Sequence, residues 1–237
     1  MEDFVRLPDG ATLWIYTEGH GPPLVLLNGG PGLADYLQPV STLLADACTV
    51  HRYEPRACGR SSPAGPHTLA QAIADLESLR RHWGHERWIV TGHSWGADLA
   101  LAYALHHPGA TRAVIGLAGG RVVNDRAWHA AYAERRHTEE MPTAAAPNLD
   151  VNRALTDDWR AFCCTPDLLH RLSVLETPCL FVFGEHDIRP SWPTEQICAL
   201  LPEAAYMPLA GADHYLWRGN PQGLAKATKT FLKALAR

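Results

Sequence analysis

Lysine is nearly missing from this chain of 237 residues: of its 21 basic residues only Lys226, Lys229 and Lys233 are lysine. All three fall at helical spacing on one terminal stretch, which reads as a solvated helix face. An excess of positive charge is missing too. The net charge of −4 supplies no basic face, so no nucleic-acid partner is expected. The six cysteines, Cys48, Cys58, Cys163, Cys164, Cys179 and Cys198, contain no C-x-x-C pair, so neither a zinc site nor a redox motif is indicated. They are read as free thiols, with Cys58 a small space-filling residue in a glycine-rich loop. No apolar run is long enough to span a membrane. The opening residues Met1-Glu2-Asp3-Phe4-Val5-Arg6 carry acids where an export signal needs bases followed by an apolar run. A cytoplasmic location with no membrane partner is the expectation.

What the chain does have is the makeup of one folded α/β domain: 46% hydrophobic and 19% charged residues, at a length that buries a sizeable core. Phe4–Leu7 and Thr12–Thr17 flank an Asp9-Gly10 turn and predict an opening hairpin. Continuous apolar runs at Leu24–Leu27, Ala113–Leu117 and Cys179–Phe183 suit strands buried on both faces of a parallel sheet, and Thr49–Tyr53 and Ala204–Met207 add two more strands. Between them, helical spacing appears over Tyr36–Leu44, over Thr68–Trp83 with Thr68 as N-cap, and over Pro193–Leu200; Pro221 opens a last helix. Alternation of this kind predicts a mostly parallel, doubly wound sheet. It lapses from Arg121 to Leu172, where Trp128, Tyr132, Met141, Trp159 and Phe162 stand among Ala, Arg and Glu. The division expected is a core of residues 1–120 and 173–237 with a small helical cap insertion, 121–172, over the sheet's carboxyl edge.

The stretch that organises the rest is Val90-Thr91-Gly92-His93-Ser94-Trp95-Gly96, in which a short apolar strand predicted over Arg87–Val90 leads into G-x-S-x-G and then into a helix with Ala97, Ala100, Leu101, Ala104 and Leu105 on one face. On so sharp a strand-to-helix turn the serine has strained dihedrals and an exposed hydroxyl, and Gly92 and Gly96 leave space where side chains would collide. This is a nucleophile elbow.

Sites in open parallel sheets form at the carboxyl ends of strands. Ser94, Asp187 and His214 each follow a predicted strand, in the chain order serine, acid, histidine. A serine hydroxyl is a poor nucleophile until an imidazole takes its proton, and the imidazole needs a carboxylate on its other nitrogen to fix its tautomer. Ser94 is therefore read as nucleophile, His214 as general base and then acid, and Asp187 as the orienting carboxylate. Asp213 is a rival acid, set second because adjacent residues rarely aim their side chains at each other. His93 and His186 are read as lining or packing residues. The tetrahedral oxyanion requires donors, and the backbone N–H of Trp95 and of Gly30, in the loop Asn28-Gly29-Gly30-Pro31-Gly32, would supply them.

These motifs carry a family resemblance. Asn28-Gly29-Gly30-Pro31-Gly32 resembles the H-G-G-P-G loop of the prolyl aminopeptidases (proline iminopeptidases), and Ser94-Trp95-Gly96 with Leu99–Ala104 and His107-Pro108 resembles their elbow and following helix. Arg56-Ala57-Cys58-Gly59-Arg60-Ser61 is similar to their R-G-x-G-R-S loop, and Gly184-Glu185-His186-Asp187 to their acid loop. The resemblance covers residues 1–118 and 175–237. It implies an α/β-hydrolase fold, serine acyl-transfer chemistry and no metal or organic cofactor. Three departures bear on substrate: Asn28 replaces the loop histidine, Ala57 replaces a glycine, and the insertion is much shorter than the family's cap, which holds the acids that bind a free N-terminal amine. Glu134, Glu139 and Glu140 lie in the insertion, but the family's acids do not map onto them residue by residue.

The expected activity is a serine hydrolase acting on a small-molecule ester, amide or short peptide, prolyl-aminopeptidase-like, with a carboxylesterase or lactonase as the alternative. Its compact pocket would be lined by Asn28, Gly29, Trp95, Trp128 and Trp159. The same triad could also cleave a carbon–carbon bond or pass the acyl group to an acceptor other than water. A ligand-binding receptor with little turnover is the reading from another class, and the intact triad counts against it. Haloalkane dehalogenation is excluded, because it needs a carboxylate where this chain has Ser94.

Overall fold

A computed structural model of the chain describes residues 1–122, 125–138 and 146–235. Its opening hairpin pairs β1 (Glu2–Arg6) with β2 (Thr12–Gly19), followed by β3 (Pro23–Leu27), α1 (Gln38–Leu44), β4 (Thr49–Tyr53), α2 (Leu69–His82), β5 (Trp88–His93), α3 (Trp95–His106) and β6 (Thr111–Leu117). Three helices come next, α4 (Arg126–Arg135), α5 (Leu149–Cys163) and α6 (Leu168–Ser173). The chain then returns through β7 (Cys179–Gly184), α7 (Trp192–Leu200), β8 (Ala204–Leu209), a short α8 (Leu216–Gly219) and α9 (Pro221–Ala234).

The eight strands form one sheet in the order β1-β2-β4-β3-β5-β6-β7-β8. β2 pairs antiparallel with β1 and β4, and every other neighbouring pair is parallel. Side chains alternate across a strand, and the core divides accordingly. Val25, Leu27, Val90, Val114 and Phe181 pack on one face with residues of α2, α3, α5 and α6, while Leu24, Leu26, Ile89, Ile115 and Leu180 pack on the other with α1 and α9. Helices on both faces are what the continuous apolar runs call for: a strand that is apolar at every position has no side to give to water.

Local signals set several helix starts. The Thr68 hydroxyl accepts the backbone N–H of Gln71 at 3.1 Å, capping α2 as the sequence predicts. Asn220 caps α9 in the same way, just ahead of Pro221. Two features depart from the sequence reading. β5 continues three residues past Val90, because Thr91, Gly92 and His93 pair with Ile115, Gly116 and Leu117 of β6. Tertiary pairing there carries Gly92, a weak strand former, into the strand. The single turn of α8 carries no periodic signal in the sequence. The terminal lysines behave as expected: Lys226 and Lys233 are exposed, and Lys229 reaches Asp46 at 2.7 Å. Glu139, Glu140 and Met141 lie outside the described residues.

Candidate active site

The chain turns from β5 into α3 at Ser94, whose φ of 56° and ψ of −122° lie where only glycine sits without strain. The surroundings force that conformation. A Cβ on Gly92 would collide with the Gly96 carbonyl, one on Gly96 with the Leu27 carbonyl, and one on Gly119 with that of Ser94. Ser94 is pinned on both sides, its N–H donating to Leu117 O at 2.8 Å and its carbonyl accepting from Ala97 N at 2.9 Å. Trp95 is the first residue of α3, so its N–H has no carbonyl four residues back to bond.

His214 follows β8 and is 4% exposed, with Nδ1 2.7 Å from Asp187 Oδ2. Asp187 follows β7; its other oxygen accepts from the Arg189 backbone N–H at 2.9 Å and from the Arg189 guanidinium at 3.3 Å. The Asp187 side chain is fully buried, and that burial pushes its carboxyl above the ordinary value even with Arg189 beside it. Asp213 caps the next turn instead, accepting from Tyr215 N at 2.8 Å. Of the two candidate acids, the histidine ring thus meets Asp187.

The glycine loop after β3 is held from two directions. Asn148, the N-cap of α5, donates its N–H to Gly32 O at 2.9 Å, and Asn152 Nδ2 donates to Pro31 O at 2.8 Å. From below, the Gly29 N–H donates to the Tyr36 hydroxyl at 2.8 Å, and Tyr36 stands 2.6 Å from His93 Nδ1. His93 Nε2 lies 2.9 Å from the His214 carbonyl. A carbonyl only accepts, so Nε2 carries the proton, Nδ1 is the acceptor and the Tyr36 hydroxyl is its donor. Burial pushes the His93 pKa well down and the Tyr36 pKa up, keeping both neutral. One chain of three hydrogen bonds therefore joins the glycine loop to the backbone of His214.

Gly30, Ser94 and Trp95 line a single open cleft, as do Trp128 of α4 and Trp159 of α5. The cleft is open to solvent at its mouth and takes in about 830 Å³ when that open space is counted. Asn28 and Gly29, expected in the same pocket, line a neighbouring cavity with Tyr53 and Arg56, and Trp95 borders both. Asn28 is 4% exposed and donates Nδ2 to Tyr53 O at 3.0 Å, so its side chain braces β4. Arg56 is bound bidentately by Asp75, at 2.6 and 2.7 Å, which ties the glycine-rich loop to α2. His186 and Asp213 border a third concavity that His214 also lines.

The sequence reading passed over Tyr36, Asp98, Arg121 and Arg189. Asp98 was findable, being the one carboxylate in an otherwise apolar α3. All six cysteines are free, and burial raises the Cys58 thiol to about 12, too high for a thiolate near neutrality. Among the described residues no group of three or more His, Cys, Asp or Glu could hold a metal ion, and no helix is long and apolar enough to cross a membrane.

Residues 22–134 match the alpha/beta hydrolase fold family, a stretch that includes Ser94 and stops short of Asp187 and His214. A probable proline iminopeptidase of Streptomyces coelicolor is 44% identical over 98 residues, 38% of this chain and 30% of that protein. Matches to curated relatives of this kind span about a third of their length. Among solved structures, proline iminopeptidase from Mycobacterium smegmatis superposes with a TM-score of 0.75 at 18% identity, covering 99% of this chain and 98% of that one. The enol-lactonase from Burkholderia xenovorans LB400 superposes with a TM-score of 0.77 at 19% identity, covering 98% of this chain and 100% of that one. The chain has the α/β-hydrolase fold and, over the stretch they share, is similar to the proline iminopeptidases.

Proposed function

We propose that this protein is a serine hydrolase that opens a small ester or amide through an acyl-enzyme, with Ser94, His214 and Asp187 as its triad. The observation that carries the reading is the 2.7 Å contact between His214 Nδ1 and Asp187 Oδ2, set beside a serine forced into the left-handed region. With Asp187 accepting the Nδ1 proton, Nε2 bears the lone pair that takes the proton of Ser94 Oγ as it attacks the carbonyl carbon. Gly30 N–H and Trp95 N–H stabilise the oxyanion, and a donor of this kind is worth on the order of a hundredfold or more in rate. His214 returns the proton to the leaving group, and a water attacks the acyl-enzyme by the same route in reverse order.

The identity to a probable proline iminopeptidase supports a prolyl-aminopeptidase-like activity. A second reading, carboxylesterase or lactonase, is supported by the Arg121 guanidinium in the wall of the Ser94 cleft, whose counter-ion Asp98 stands 4.0 Å away, an arrangement that favours an acidic or neutral substrate over a cationic amine. Turnover of short-chain nitrophenyl esters beside proline and alanine nitroanilides, with Ser94→Ala as blank, tests both. Proline anilide cleavage that disappears in the variant supports the aminopeptidase, and ester cleavage alone supports the second reading. Absence of any Ser94-dependent turnover overturns the hydrolase and leaves a binding protein.

A further inference from the structure

Three charged side chains among the described residues line the Ser94 cleft: Asp98, Arg121 and Arg189. Arg189 is engaged with the Asp187 carboxylate and, at 3.2 Å, with the Tyr132 hydroxyl. Arg121 is differently placed. Its guanidinium carbon lies 3.6 Å from the centre of the Trp128 ring, and Trp128 is itself fixed by a 3.0 Å hydrogen bond from its indole N–H to the Pro190 carbonyl. An aromatic platform of this sort orients the planar fork and covers one face of it.

The counter-ion is Asp98, and the pairing is loose. Arg121 Nε stands 4.0 Å from Asp98 Oδ2, the outer limit of an ion pair, while Asp98 Oδ1 is occupied by the backbone N–H groups of Gly120 and Arg121 at 2.9 Å each. The Arg121 side chain is 28% exposed and the Asp98 side chain 3%. A guanidinium that has given up most of its water for a 4.0 Å contact gains charge-assisted hydrogen bonds when an anion arrives, and a carboxylate matches its fork in two parallel bonds. Burial lowers the Arg121 pKa from its ordinary value, the direction expected of a cation short of compensation. His129, in the same wall, is held neutral by burial and adds no competing charge at pH 7.

We infer that the Ser94 cleft takes a substrate carrying a carboxylate, held by Arg121 on its Trp128 platform while the scissile ester or amide lies at Ser94. The inference rests on the serine-hydrolase reading for the reacting group, and it replaces the free amine of an aminopeptidase substrate with an acid.

The test compares two esters of one length, the 4-nitrophenyl monoester of adipic acid and 4-nitrophenyl methyl adipate, which differ only in the free carboxylate. The wild-type protein should favour the monoanion by tenfold or more in kcat/KM, as a charge-assisted hydrogen bond allows. The preference should fall close to unity in Arg121→Gln, through KM, and return in part in Arg121→Lys, which keeps the charge and loses the fork. A wild-type ratio near or below unity, or a ratio that survives Arg121→Gln, overturns the inference while leaving the hydrolase intact. Calorimetric titration of Ser94→Ala with monomethyl adipate reads carboxylate recognition apart from turnover. Heat of binding that Arg121→Gln abolishes supports the inference even if neither ester is cleaved, and binding that is absent, or unchanged by Arg121→Gln, overturns it.

Discussion

The Tyr36 hydroxyl donates to Nδ1 of His93 at 2.6 Å, and through that one bond the loop that carries Gly30 is coupled to the backbone that carries His214. Tyr36→Phe keeps the ring and deletes the oxygen, leaving the Gly29 N–H and His93 Nδ1 without partners in a buried setting. Each orphaned group costs about 1–3 kcal/mol. The expected loss is about 2 kcal/mol or more in urea unfolding, with kcat on a nitrophenyl ester down on the order of tenfold to a hundredfold because the loop proposed to supply an oxyanion donor and the histidine proposed as base both shift. Unchanged kcat in a protein of lowered stability would show the bond to be structural only.

Asp187 and Asp213 offer a cleaner comparison, because both carboxylates sit within reach of the same loops and only one meets the imidazole. Asp187→Asn should lower kcat by roughly 10³–10⁴, since an amide at Oδ2 imposes the wrong tautomer on His214. Asp213→Asn should remain within a few-fold of wild type, its loss limited to one turn cap. Steady-state rates for the two variants, measured side by side, decide the matter, and the opposite ranking would assign the acid to Asp213.

The glycines of the elbow can be ranked by what surrounds them. Gly96→Ala drives a Cβ into the Leu27 carbonyl, and Gly92→Ala into that of Gly96, both of them backbone atoms that cannot move aside. Each should cost more than about 4 kcal/mol or prevent folding. Gly109→Ala meets nothing within 4 Å and needs no positive φ, so thermal unfolding should place it within about 0.5 kcal/mol of wild type. A soluble, fully stable Gly96→Ala protein would mean that the turn has another way to close.

The fold was legible because its signals are local. Leu24–Leu27, Ala113–Leu117 and Cys179–Phe183 are short runs apolar at consecutive positions, which suits strands covered on both faces, and Thr68 and Pro221 mark helix starts by their own chemistry. Ser94, Asp187 and His214 were readable as candidates because each sits at a strand's carboxyl end. The groups that surround them were not. Tyr36 meets His93 across 57 positions, and Asp98 meets the Gly120 and Arg121 N–H groups across more than 20, so no window of sequence contains both partners. The same holds for Asn28. Its substitution for the loop histidine was visible, but its role in bracing Tyr53 depends on β3 lying beside β4.

Asp98 carries a pH signature whose sign follows from its burial. Desolvation raises its pKa from 3.8 to about 6, against the opposing pull of Arg121 and two backbone N–H groups. The folded state therefore binds this proton more tightly than the unfolded chain does. Below about pH 4 the carboxyl is protonated in both states and contributes nothing through titration; as pH rises from about 4 to about 6, the unfolded chain has given up this proton while the native state still holds it, so folding must take a proton from an ever scarcer supply, and stability falls. Two pKa units set the size at about 3 kcal/mol at most. Asp98→Asn removes the titration while preserving shape. Urea unfolding at intervals from pH 4.5 to pH 7.5 should then show wild-type stability declining relative to the variant up to about pH 6 and running parallel to it above. A difference that is flat across the whole range would mean that Asp98 titrates at its ordinary value, and that Arg121 compensates it more fully than a 4.0 Å contact suggests.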